Sequence, residues 1–195
     1  MARPRTVLIW AAVGVALAGP ILAAAHSPFL QWRGPVYIAA GFAGIVGLAL
    51  LLLQPLLISG RLPGLASLRA RRLHRGIGAS LVACVVVHVV GLWIVSPPDV
   101  VDVLLFRSPT PFSVWGVVAM WTLFAAALLA MLRRRLKIRP RTWRLAHTAL
   151  ATVVVAGTAI HALLIEGAME TVTKTALATL AIVADFGPSA VGNAS

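Results

Sequence analysis

Six long apolar segments, separated by short polar stretches, are the feature that most constrains the fold of this 195-residue chain. Each is long enough to cross, as a helix, a hydrocarbon core about 30 Å thick. The chain is 60% hydrophobic and 11% charged, whereas soluble domains carry about 25% charged residues. The sequence therefore predicts an all-α membrane protein, a single six-transmembrane-helix bundle with spans over residues 6–25, 35–59, 74–95, 112–132, 142–165 and 170–186.

The first and last segments are the least typical of the six. The last contains Lys174, four threonines and Asp185, so it is the weakest predicted span. The first follows Arg3 and Arg5 and ends in Ile21–Ala25, a pattern that also resembles a cleavable signal peptide. Its apolar run of about 20 residues is longer than a usual signal core and favours a retained helix.

Basic residues predict the orientation of the bundle. The net charge is +12, but the basic residues are concentrated in short stretches between apolar spans, as the positive-inside rule describes, which argues against nucleic acid as the partner. Most of the 17 basic residues fall on one predicted side. They lie at the N-terminus, in the 61–75 stretch before the third span and in the 133–144 stretch before the fifth. Both termini are therefore predicted to be cytoplasmic.

Four histidines form two matched pairs on the third and fifth predicted spans. His74 and His88 are 14 residues apart, and so are His147 and His161. Fourteen helical residues cover roughly 21 Å, and the second ring falls only about 40° short of the first around the helix axis. Because the third and fifth spans both run outward in this topology, His74 and His147 are predicted at the inner side, and His88 and His161 near the outer side.

The histidine pattern favours metal ligation. His88 and His161 lie in apolar runs without an acidic neighbour at helical spacing, and intramembrane ionisable groups usually serve a function. Zinc needs three or four converging ligands, but each level offers two, which suits the two axial positions of a heme. The pattern predicts two b-type hemes. The alternative from another class is a channel or transporter that uses the histidines as proton sites. The single cysteine, Cys84, excludes an intrachain disulfide.

The motifs around these histidines resemble a known family. Leu73–Gly78 (LHRGIG) with His88, and Trp143–His147 (WRLAH) with His161, are similar to the ferric-reductase-like transmembrane domain, the heme core also found in NADPH oxidases. The motif-bearing resemblance covers roughly residues 61–166. It implies a multi-pass protein, expected in a bacterial inner membrane, in which His74 and His147 hold an inner heme and His88 and His161 an outer one. It also implies transmembrane electron transfer to an acceptor at the outer face.

The expected partners follow from what surrounds this core. The chain ends nine residues after Phe186 and has no glycine-rich phosphate loop, so we expect one domain over residues 1–195 without a flavin or NAD(P)H domain. Electrons would then come from a separate cytoplasmic flavoprotein, and any flavin would belong to that partner. The protein would be an oxidoreductase component, whose acceptor (ferric iron, oxygen, a quinone or a protein) stays open. A related branch is the heme-binding membrane subunit of the periplasmic methionine-sulfoxide reductase system.

Basic residues near the predicted hemes have candidate roles. Arg75 and Arg144 follow or precede inner ligands by one and three residues, where they could pair with heme propionates. Arg33 or Arg107 could serve the outer propionates. The 133–144 run could dock an acidic flavoprotein by electrostatic steering. His26, which lacks a partner at the 14-residue spacing, is predicted to be interfacial.

Overall fold

The chain folds as a bundle of helices. The computed structural model describes residues 4–186, and the regular elements within that range are all helical. The prediction of an all-α fold is thus confirmed. The helices are α1 (Pro4–Ala25), α2 (Pro35–Ile58), α3 (Ser67–Val95), α4 (Pro97–Leu104), α5 (Pro111–Leu132), α6 (Pro140–Leu164) and α7 (Thr171–Phe186), with a single 3₁₀ turn at Pro28–Leu30.

Five of these helices, α1, α2, α3, α5 and α6, are long and apolar enough to cross a membrane. Several begin with proline, whose fixed φ suits the first helical position and whose missing N–H costs nothing there. The protein is therefore a multi-pass integral membrane protein. The predicted sixth span corresponds to α7, which has 16 residues.

Helix α3 begins earlier than the sequence predicts. It starts at Ser67, not at His74, so the arginines from Arg69 to Arg75 lie on its first turns and not in a loop. Arginine is a good helix former, but its charge hides the helix from a hydropathy pattern. At 29 residues α3 is about 43 Å long, more than a hydrocarbon core, so its basic turns extend beyond the apolar part.

A short helix was also missed by sequence reasoning. Helix α4 occupies part of the predicted outer loop, and its eight residues are too few to cross a membrane. Proline opens it at position 97, and Ser96 Oγ donates a hydrogen bond of 2.6 Å to Asp99 Oδ2 in its first turn.

Packing places two helix pairs side by side. Helix α2 packs mainly on α3, and α5 on α6, while α7 lies against α2 and α6. The main buried cluster joins Leu51 of α2, Leu81 of α3, Val155 of α6 and Leu177 of α7. Helix α7, the weakest predicted span, is thus a central element: Leu177 is 1% exposed and Ala178 is fully buried.

Helix α1 lies at the edge of the bundle. Large side chains such as Leu8, Val15 and Leu22 are exposed along it, as expected for a helix that faces lipid. It contacts α2 and α7, and Trp10 Nε1 donates a hydrogen bond of 3.2 Å to the carbonyl of Pro63.

Candidate functional site

Two levels of histidines lie between α3 and α6. At the level nearer the basic turns, the ring centroids of His74 and His147 are 6.2 Å apart and the planes are inclined by 75°. At the other level, His88 and His161 line one cavity of about 300 Å³. The remaining lining is mostly apolar and comes mainly from α2, α3, α5 and α6, with Ile45, Leu81 and Val154 among its members, and it also includes Lys174 of α7.

The rings are oriented by backbone carbonyls of neighbouring helices. His88 Nδ1 donates to the carbonyl of Ala40 (2.7 Å), His161 Nδ1 to that of Phe112 (2.9 Å) and His74 Nδ1 to that of Gln54 (3.4 Å). Because a carbonyl can only accept, Nδ1 carries the ring proton and Nε2 keeps its lone pair. This is the tautomer that binds a metal through Nε2.

A glycine lies beside each ring at the cavity level. A Cβ added to Gly44 would lie 3.0 Å from His88 Nδ1, and a Cβ added to Gly116 would lie 2.7 Å from His161 Nδ1. Each glycine follows the carbonyl acceptor by four residues, so it lies one turn further along the same helix face. Both helix pairs therefore use the same arrangement: a glycine admits the ring, and the carbonyl one turn earlier orients it. The spacing of the histidines does not predict this arrangement, because the glycines and the carbonyl acceptors lie on other helices.

His147 differs from the other three histidines. Its ring stacks on Trp143, with centroids 4.6 Å apart and planes inclined by 21°, and the Arg133 guanidinium lies 5.1 Å from the Trp143 ring centroid. His147 Nδ1 is buried without a hydrogen-bond partner in the described structure, and so is Gln54 Nε2. Sequence reasoning missed this stack, although the i, i+4 relation of Trp143 to His147 was its available signal.

Comparison with known proteins identifies the family. The family model described as "Ferric reductase like transmembrane component" matches residues 40–158, more than half of the chain. The chain belongs to this family. No curated protein and no solved structure matches it. The family predicted from the motifs is confirmed, and membership indicates a role in transmembrane electron transfer. The matched range includes His74, His88 and His147 and ends three residues before His161.

The four histidines of this ferric-reductase-like chain are the residues that could hold a metal-containing cofactor at each level. At the level of His74 and His147 the ring centroids are 6.2 Å apart, close enough that both imidazoles could bind one metal between them. The Nδ1 hydrogen bonds leave Nε2 available, and the two buried polar atoms without partners both lie near the His74–His147 level. Within residues 4–186, no group of three or more His, Cys, Asp or Glu side chains converges on one point.

The arginines that the sequence predicts as propionate partners lie at exposed positions. Arg75 and Arg144 are exposed, on the first turns of α3 and α6. Arg107 is also exposed, and the Arg33 guanidinium lies over the Tyr37 ring at 4.7 Å. His26, just after α1, is exposed, and its Nδ1 lies 2.9 Å from the carbonyl of Leu22 in the last turn of that helix.

Proposed function

We propose that this protein carries electrons across a membrane through two b-type hemes, from a cytoplasmic donor to an acceptor at the outer face. His74 and His147 would hold the inner heme, and His88 and His161 the outer one. The observation that supports this most directly is the tautomer of the histidines: three of the four rings donate Nδ1–H to a carbonyl, which leaves Nε2 for a metal.

The proposed topology has six spans and both termini in the cytoplasm. Helix α7 would be the sixth span, although its 16 residues reach only about 24 Å. Its buried face supports this, because a helix packed on α2 and α6 belongs to the bundle. The basic turns of α3 and the basic stretch before α6 would then lie on the cytoplasmic side.

In this function the protein holds and orients the ligands and excludes water. Heme, when bound, supplies the one-electron redox chemistry. The carbonyls of Ala40, Gln54 and Phe112 fix the ring orientations and raise the basicity of Nε2. The apolar lining around His88 and His161 lowers the local dielectric, a property that sets heme potentials.

The donor is proposed to be an acidic flavoprotein that docks on the α5–α6 side. Arg134, Arg135, Lys137, Arg139 and Arg141 are exposed there, while Arg133 is held against Trp143. A concentrated positive patch speeds the association of an acidic partner. Arg75 and Arg144, exposed beside the inner ligands, remain the proposed partners of the inner propionates.

Heme content tests the function directly. We expect about two b hemes per wild-type chain and about one in both His88→Ala and His147→Ala, because each substitution would remove one of the two histidines proposed to hold one heme. The matched control is His26→Ala, which removes an exposed histidine and should keep both hemes. The measurement is the heme-to-protein ratio with a reduced-minus-oxidised spectrum.

Two results would contradict the proposal or redirect it. Well-folded wild-type protein without heme would exclude it, and the histidines would then need a proton-handling explanation. If the chemically reduced protein keeps its electrons when offered ferric chelates, but transfers them to a periplasmic protein partner, the chain is a relay subunit and not itself a ferric reductase.

A further inference from the structure

Lys174 is a buried cation in an apolar cavity. It lies in the first turn of α7, is 6% exposed and lines the cavity that contains His88 and His161. Its Nζ donates one hydrogen bond, of 2.8 Å, to the carbonyl of Ile165. Among the described residues, no carboxylate forms an ion pair with it.

This environment is unfavourable for an ammonium group on its own. An ammonium has three N–H donors, and the Ile165 carbonyl accepts one of them. Removing such a charge from water is unfavourable unless an opposite charge and further hydrogen bonds offset the loss of hydration. An anion in the cavity would therefore stabilise the buried Lys174 side chain.

We propose that Lys174 binds a carboxylate of the group held by His88 and His161, namely a propionate of the outer heme. This inference rests on the proposed function. It assigns the outer propionate to Lys174 and not to Arg33 or Arg107, because Arg33 lies over Tyr37 and Arg107 is exposed, so neither needs a buried anion. A carboxylate of a separate small molecule is the other source of the same chemistry.

The pairing has a predicted electrochemical consequence. A fixed positive charge near a heme favours the reduced state, which carries one positive charge less. Lys174 would therefore raise the potential of the outer heme and leave the inner heme, on the far side of the bundle, largely unaffected.

The test compares variants of the full-length holoprotein by redox titration. For Lys174→Gln and Lys174→Met we expect one heme component to shift to lower potential and its dissociation constant to rise by about tenfold or more, as when a buried charge pair is broken. Lys174→Arg should keep both the potential and the dissociation constant close to their wild-type values. The matched control is Lys137→Gln, which removes the exposed lysine of the α5–α6 stretch and should leave the outer component unchanged.

Stability of the heme-free protein separates anion binding from a structural role. If Lys174 binds an anion, Lys174→Met removes an uncompensated buried charge and the heme-free variant unfolds at a higher temperature than heme-free wild type. If the lysine serves only to satisfy the Ile165 carbonyl, the variant unfolds at a lower temperature and both potentials stay at their wild-type values. That second pair of results would overturn the proposal.

Reconstitution identifies the source of the carboxylate. Heme dimethyl ester, whose propionates are blocked, should bind the outer site of the wild type more weakly than heme, and equally in wild type and Lys174→Gln. Equal binding of heme and its ester to the wild type would assign the anion to another molecule and contradict the inference. Two hemes with unchanged potentials in Lys174→Gln would refute the inference alone, whereas a wild type without heme would refute the proposed function.

Discussion

The contact between a glycine and an imidazole is the smallest unit on which the site depends. A Cβ on Gly116 would lie only 2.7 Å from Nδ1 of His161, and a Cβ on Gly44 would lie 3.0 Å from Nδ1 of His88. A ring displaced from this position loses its carbonyl acceptor, and with it the orientation of Nε2. The two glycines therefore position the rings of His88 and His161 and are not merely sites of close helix packing.

In the proposed function, substitution of these two glycines should lower the content of the outer heme to different extents. We expect Gly116→Ala, whose Cβ would be 2.7 Å from Nδ1, to lose most of one of the two hemes, and Gly44→Ala, at 3.0 Å, to lose less. The measurements are the heme content and the electron paramagnetic resonance spectrum of the low-spin hemes. That spectrum reports the orientation of the histidine rings. Gly47→Ala is the control, because its Cβ would make an ordinary 3.7 Å contact with Cys84. Full heme and an unaltered resonance in Gly116→Ala would contradict the role.

Sequence reasoning reaches the histidines but not their surroundings. The 14-residue spacing predicts two rings per helix on one side, because it depends only on helix geometry. The acceptors at Ala40, Gln54 and Phe112 lie on other helices, so they depend on the register between helices, which spacing within one helix does not contain. The position of Lys174 in the cavity also depends on how the helices pack. The sequence alone shows only that a lysine is unfavourable within a membrane span.

At the scale of the helix, α7 shows why hydropathy underestimates an element. Its polar residues weaken the apolar pattern, yet one face packs into the main core and the polar groups find partners. Thr152 of α6 donates a hydrogen bond of 3.1 Å to Asp185, and Glu170 caps the first turn. Hydropathy measures preference for lipid, whereas α7 is held largely by other helices. The early start of α3 has a related cause, because its arginines favour a helix but are too polar to appear in a hydropathy pattern.

The cap at the start of α7 should make stability depend on pH. The backbone N–H groups of Val172 and Thr173 donate to the Glu170 carboxylate, which lowers the pKa of Glu170 below its ordinary 4.5. A carboxyl with a lowered folded-state pKa stabilises the fold above its ordinary pKa, and this contribution is lost as the pH falls through the folded-state value.

Glu170→Gln is the variant that tests the cap. Its unfolding temperature in detergent should lie below that of the wild type at pH 7, and the difference should close between about pH 5 and pH 3. The matched control is Glu166→Gln, which removes another exposed carboxylate just after α6. A Glu170→Gln difference that stays constant down to pH 3 would mean that the charge plays no part.

At the scale of the whole molecule, the distribution of charge separates two ends of the bundle. The exposed basic residues between α5 and α6 face one side, and the cavity with His88, His161 and Lys174 lies toward the other. Electrostatic steering by the basic end should depend on ionic strength, because charges beyond about 8 Å are screened at physiological salt. The two ends should therefore differ in how they receive an acidic protein donor.

Reduction kinetics test which end receives the donor. In detergent, where both ends are accessible, we expect the rate of reduction by an acidic flavodoxin to fall by about tenfold or more from low to physiological salt. The double variant Arg134→Gln/Arg135→Gln should be slower at low salt and less sensitive to salt. The matched control, Arg33→Gln/Arg107→Gln, should behave as wild type, and a neutral hydroquinone should reduce all three equally. Slower reduction in the control pair alone would place donor docking at the opposite end.

The paired arrangement of α2 with α3 and of α5 with α6 has a consequence for biogenesis. The rings of His74 and His88 are oriented by α2, and the ring of His161 is oriented by α5. Each ring is therefore oriented within its own helical hairpin, α2–α3 or α5–α6. The α2–α3 hairpin precedes α5 and α6 in the chain, so the carbonyls that orient its two imidazoles are synthesised before the second hairpin. In the proposed function, a cofactor held between α3 and α6 would link two hairpins that also meet through α7.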